Sequence, residues 1–428
     1  MVARTLPSGL RVVVARLPWL PVVHIRWAFR GGRRLEDPGR TGSASMLGTV
    51  ARHGTERHDS ASLANALDHL GAGLRISVGL DSASGGISGL SEHTDVLLDL
   101  LDEAVLRPVF PESHLARERA NALQVHHHQR AQPAVIAGGW LSRSLYGAHP
   151  YGHPAVVADE LAALTRADLV SLHQRIVAPR RGLVLVVGDV DAEATADALC
   201  ARYADLPPGI ELPEPPPATR SRRLIAVERP GAEQVVIMMG LPLFAWGASE
   251  HLPLEIVNQA LGGGAGSRLF NELRERDGLT YSAWSALDLG ILGGDFSAGL
   301  SCSAEKACDA VSALVDALER PPTAAELSGA RRYIIGSFPQ RASGVGGVAA
   351  LLYTAWLYGR PVSSWADYLP SIAGFSDDVL ISTAARWIQP RQASVVAVGP
   401  GESAQQALEL LGTPEVRSQD DRGFESAV

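Results

Sequence analysis

A chain of 428 residues is too long for one ordinary core, and length alone predicts about two to three domains. Its 46% hydrophobic and 20% charged residues fit a globular protein, and the net charge of −8 argues against a general nucleic-acid binder. Three cysteines, Cys200, Cys302 and Cys308, are too few for a disulfide framework and lack C-x-x-C spacing. The N-terminus shows no long apolar stretch and no run nears the ~18 apolar residues of a membrane span. These features predict a soluble, cytoplasmic protein with no membrane partner.

In chain order, Leu10–Ala15 (LRVVVA) and Val22–Arg30 (VVHIRWAFR) are β-branched and partly alternating, which predicts strands. A helix follows over Thr41–Ala51, then a strand over Leu74–Leu80 and a helix over Thr94–Val105. The first half ends on the apolar run LVLVVG, Leu183–Gly188. Leu206–Pro217, LPPGIELPEPPP, then breaks the pattern, because prolines at this density exclude helix and central strand. After it the order repeats. Strands fall at Leu224–Glu228 and Gln234–Leu241, a helix at His251–Leu261, and strands at Ser282–Leu287 and Gly294–Cys302. A helix follows at Lys306–Leu318, and ASVVAVG (Ala393–Gly399) closes the half. The repetition predicts two α+β domains related by duplication. Their expected bounds are 1–205 and 221–415, with a linker at 206–220 and a disordered polar tail at 416–428.

Several stretches, in order, match one family. Leu6–Val12 (LPSGLRV), Phe29–Gly42 (FRGGRRLEDPGRTG), His149–Gly152 (HPYG), Leu183–Asp191 and Leu261–Ser282 (LGGGAGSRLFNELRERDGLTYS) all resemble it. The chain resembles the pitrilysin/insulinase family of zinc metallopeptidases, in its short, mitochondrial-processing-peptidase-like branch. Active members carry H-x-x-E-H on one helix, where two histidines hold zinc and the glutamate activates water. The matching positions here are Ser45, Gly48 and Thr49. The third ligand, a glutamate, falls near Gln124 or Val125. None of these can serve as ligand or base.

The resemblance therefore implies a metal-free subunit that pairs, clamshell fashion, with a chain carrying H-x-x-E-H, with zinc only in that partner. It also implies that Arg268 and Tyr281 bind the peptide substrate at the partner's zinc. Read from spacing alone, Arg268 pairs with Glu272 and Tyr281 is a strand residue. A scaffold protein of the same fold and a stand-alone enzyme with an unconventional site are the rival expectations.

Other candidates carry less chemistry. His126, His127 and His128 point about 100° apart on a helix and cannot share one ion. His149 and His153 flank Pro150 and Gly152, which break helical spacing. The run Gly262–Ser267 has no P-loop lysine and reads as a connection that lets the backbone pass close to something, such as a bound peptide.

Overall fold

The computed structural model describes residues 1–153, 156–212, 215–216, 218 and 221–419. It divides into two compact units, each built on a six-stranded sheet.

The first sheet holds β1 (Val2–Thr5), β2 (Arg11–Arg16), β3 (Val22–Arg30), β4 (Gly73–Val78), β5 (Ser82–Leu90) and β6 (Gly182–Gly188), in the order β1-β2-β6-β3-β5-β4. Strands β2 and β6 run parallel, and the other neighbours are antiparallel. Alternation fixes which face is dry. Val23, Ile25, Trp27 and Phe29 of β3 are buried in the core with Ile87 of β5. Trp27 donates to the buried Asp102 at 2.7 Å, and Arg202 and Tyr203 complete that carboxylate's partners.

The second sheet holds β7 (Leu224–Glu228), β8 (Gln234–Leu243), β9 (Ser282–Leu289), β10 (Gly294–Ser303), β11 (Ser394–Gly399) and β12 (Glu415–Ser418). Its order, β12-β7-β11-β8-β10-β9, repeats the first, and β7 runs parallel to β11 as β2 does to β6. The duplication expected from the repeated pattern is present. The outer strand differs: β1 comes from the start of the chain and pairs antiparallel, whereas β12 comes from its end and pairs parallel.

Two expected boundaries need correction. The units are not contiguous halves. The first comprises 1–126, 155–214 and 340–362, and the second takes 127–154, 215–339 and 363–428. Helix Pro133–Tyr146, from the first half, packs on β8 and β11. Helix Gly344–Leu357, from the second half, packs on β3 and β6. Part of each sheet's second face lies under a helix from the other half, and an amphipathic pattern does not say which sheet it will cover. The expected tail also begins too early. Glu415–Ser418 form a strand, and 420–428 lie outside the described residues, as do 213, 214, 217, 219 and 220 of the expected linker.

Charge locks the imported helix to β7 and β12. Arg223 and Arg417 lie 5.8 and 5.5 Å from the Trp140 ring. Glu415 accepts from Arg223 at 2.7 and 3.0 Å and from Arg417 at 3.0 Å. The Arg223 hydrogen bonds lead in holding its carboxyl down to about 2, against 4.5 when unperturbed. A depressed carboxyl stabilises the fold fully above its unfolded pKa, and that contribution is lost as pH falls from about 4.5 toward 2. Glu415→Gln is therefore expected to flatten the acid limb of a melting-temperature profile between pH 5 and 2. An unchanged limb would remove this pair from the account. Among the described residues no helix is long and apolar enough to cross a membrane.

Candidate functional site

Helix Ser43–Val50 is the element that would carry the zinc motif. It starts after Gly42, whose φ of 88° suits glycine, and Glu36 caps it from outside. The Glu36 carboxyl accepts from the Ala44 amide at 2.8 Å and the Ser43 hydroxyl at 3.3 Å. Burial pushes that carboxyl up to about 7, with the capping bonds and Arg33 opposing.

On this helix Ser45 is exposed, and Thr49 donates its hydroxyl to the Ser45 carbonyl at 3.0 Å. The Thr49 side chain is thereby engaged with its own helix. Gly48 faces β4, and a Cβ there would meet Ile76, Ser77 and Val78 at an ordinary 3.5 Å. Packing therefore tolerates a Cβ at 48. Gly48→Ala is expected to stabilise the first unit by ~0.5–1 kcal/mol, since glycine within a helix is costly. A loss of stability in urea titration would mean the space is not there.

Gln124 and Val125 are both exposed on helix Glu112–Arg130. Two hydroxyls, a glycine, an amide and an alkyl group are not a zinc donor set. Among the described residues no group of three or more His, Cys, Asp or Glu could hold a metal. The residues present do not fit the family's metal.

The second half places its two expected residues very differently. Arg268 is buried, 3% exposed. Its five N–H donors are all spent inside the unit. Two go to Glu326 at 2.6 and 2.7 Å; the others reach the carbonyls of Ala317, Arg320 and Pro321 at 2.6–2.8 Å. Glu326 itself caps the following helix through Thr323. All five donors of Arg268, expected at the substrate, are thus engaged within its own unit. The alternative pairing with Glu272 is also absent, because Glu272 takes Arg320 and Arg276.

Tyr281, by contrast, is 81% exposed. The guanidinium over its ring, at 4.5 Å, is that of Arg274. Arg274 also lies 4.6 Å from Phe270. The cause is the local helix. Phe270–Arg276 form a π-helical segment, a wide turn often found at functional sites. Leu269 and Leu273 point into the core, so Phe270 and Arg274 share the flank beside Tyr281. The buried Leu269/Leu273 pair was the available sequence signal for Arg274.

The glycine run also changes meaning. The Ser285 amide of β9 donates to the Gly262 carbonyl at 3.1 Å, and a Cβ on Gly262 would sit 2.3 Å from that nitrogen. The close approach that requires glycine is to the chain's own edge strand. His149 is buried and its Nδ1 accepts from the Tyr151 amide at 3.2 Å. Tyr151 accepts from the Leu292 amide at 3.1 Å, and Tyr146 donates to Asp295 at 2.6 Å. That motif anchors the β9–β10 hairpin. His127 and His128 are exposed at a helix end. All three cysteines are free, and burial pushes the Cys302 thiol up to about 11, away from reactivity.

A duplicated α+β fold, an intact helix at the zinc position and no ligand upon it define a catalytically silent metallopeptidase relative. Residues 11–157 match the insulinase (peptidase family M16) description and 163–333 the peptidase M16 inactive domain. A Mycobacterium tuberculosis protein described as an uncharacterized zinc protease is 30% identical over 327 residues, covering 74% of this chain and 73% of its own. A Helicobacter pylori protein described as a non-peptidase homolog is 23% identical over 80% of this chain and 81% of its own. The solved peptidase M16 inactive domain from Pseudomonas fluorescens superposes with a TM-score of 0.87 at 25% identity, covering 93% of this chain and 98% of that one. The chain belongs to the insulinase family, peptidase family M16, as a non-catalytic member.

Proposed function

We propose that this chain is the metal-free subunit of a two-chain zinc peptidase of the cytoplasm. It binds peptide and presents Tyr281, supported by Arg274, to the zinc site of a partner that carries H-x-x-E-H. One observation supports this reading above others: an exposed phenol is held by a cation in a chain whose zinc helix has no ligand. A Tyr hydroxyl near a metal-polarised carbonyl can donate to the developing oxyanion. Arg274 holds the ring by cation–π contact and has donors left for a substrate carbonyl or carboxylate.

The test is reconstitution with a family chain carrying H-x-x-E-H. Only the mixture is expected to cleave an unfolded peptide, with one zinc per two chains. Stoichiometric zinc and cleavage by the single chain would overturn the reading.

A further inference from the structure

Tyr281 is exposed, yet the residues on either side of it fix its backbone. The Thr280 hydroxyl donates to the Ser301 carbonyl of β10 at 2.6 Å and accepts from the Ser282 amide at 3.0 Å. The phenol therefore starts from a pinned strand end, and the freedom left to it lies in its side-chain torsions. An exposed aromatic side chain left to itself samples several rotamers, and holding one of them costs entropy.

Arg274 limits those torsions, and it is itself held by a second ring. Its guanidinium carbon lies 4.5 Å from the centre of the Tyr281 ring and 4.6 Å from the centre of the Phe270 ring. Both are close cation–π contacts, well inside the ~6 Å limit. One cation thus joins two rings from different elements, Phe270 on the π-helical segment and Tyr281 at the start of β9.

Phe270 is the anchored member of this chain of contacts. It is partly buried, and the neighbouring Leu269 and Leu273 are sunk in the core, which fixes the roll of the segment. The Asp277 amide donates to the Glu272 carbonyl at 2.9 Å, five residues back, which keeps the turn wide. Arg274 has one carboxylate partner, Glu275, at 3.3 Å, and both side chains of that pair reach solvent. An exposed pair of this kind holds a side chain only weakly. The rings, and not Glu275, therefore set where the guanidinium stands.

We propose that Phe270 is a positioning residue for the substrate-facing pair: it holds the Arg274 guanidinium, and Arg274 in turn holds the Tyr281 phenol in one orientation. Phe270 acts only through Arg274. The physical gain is preorganisation, because a hydrogen-bond donor stabilises a developing oxyanion fully only when it is in place beforehand. The proposal rests on the reading of this chain as the subunit that presents Tyr281, and it adds a third residue to that site.

The first arm of the test uses the full single chain and no catalytic partner, so it stands apart from any failure of reconstitution. The chain is labelled with meta-fluorotyrosine, and the Tyr281 fluorine resonance is assigned by its loss in Tyr281→Phe. Arg274→Ala should move that resonance toward the position of the free amino acid. Phe270→Leu should move it the same way by at least half as much, and should add nothing in the Arg274→Ala background. Phe270→Tyr keeps a ring and should restore the wild-type position. A merely structural role would lower the melting temperature and leave the resonance in place. Phe270→Met gives the same readout if the leucine variant melts early. In the reconstituted complex Phe270→Leu should lower kcat roughly two- to fivefold, the size of one exposed cation–π contact, with KM little changed. A Tyr281 resonance unmoved by both Phe270→Leu and Phe270→Met, or displacements that add in the double variant, overturns the proposal. If the resonance moves as expected while Tyr281→Phe leaves cleavage intact, the positioning stands and the substrate role of Tyr281 falls.

Discussion

Replacing Arg268 with alanine is expected to destabilise the second unit by ~3–5 kcal/mol, the usual cost of stranding one partner of a buried ion pair. The removed side chain serves five acceptors: both oxygens of Glu326 and three carbonyls around 317–321. Those carbonyls close one helix and Glu326 opens the next, so the guanidinium ties two helix ends together. Lysine should rescue little, because one ammonium offers three donors and no planar fork. Urea denaturation of the purified chain measures this. A loss under about 1 kcal/mol would show that the pair contributes no more than an exposed one.

The contrasting expectation concerns Arg274 and Tyr281. In a reconstituted complex Tyr281→Phe should lower kcat by ~10²–10³, the scale of one oxyanion donor. Arg274→Ala should lower it by about tenfold, through loss of the cation that holds the ring. Neither change should move the melting temperature of the single chain appreciably, because Tyr281 is 81% exposed and Arg274 lies at the surface. Arg268→Ala should do the reverse, losing stability first and activity only with the fold. If both Arg274→Ala and Tyr281→Phe leave cleavage untouched, the substrate role of the pair fails, whatever the stability data show.

Long-range pairing, and not local pattern, separates these two arginines. Both stand in one short motif, six residues apart, and both precede Tyr281. Local spacing favoured Arg268 and Glu272 as a helical pair, yet the segment is π-helical and Arg268 turns inward to Glu326, 58 residues on. An ion pair across that separation has no periodic signature. The exposure of Tyr281 has no local signature either.

The helix exchange has no local signature for the same reason. Trp140 on helix Pro133–Tyr146 meets Arg223 and Arg417, both far along the chain, so the residues that decide its location lie outside any local window.

The sequence by itself determined two things. The repeated strand-and-helix order specified two α+β domains related by duplication, because alternation and β-branching act locally. The loss of the metal site was equally plain, since ligand chemistry belongs to the residue type: Ser45, Gly48 and Thr49 cannot bind zinc in any conformation of that helix. Tertiary structure alone decided which arginine is buried and which helix covers which sheet. Those outcomes depend on side-chain direction and long-range pairing, which are set by burial and register once the sheets have formed.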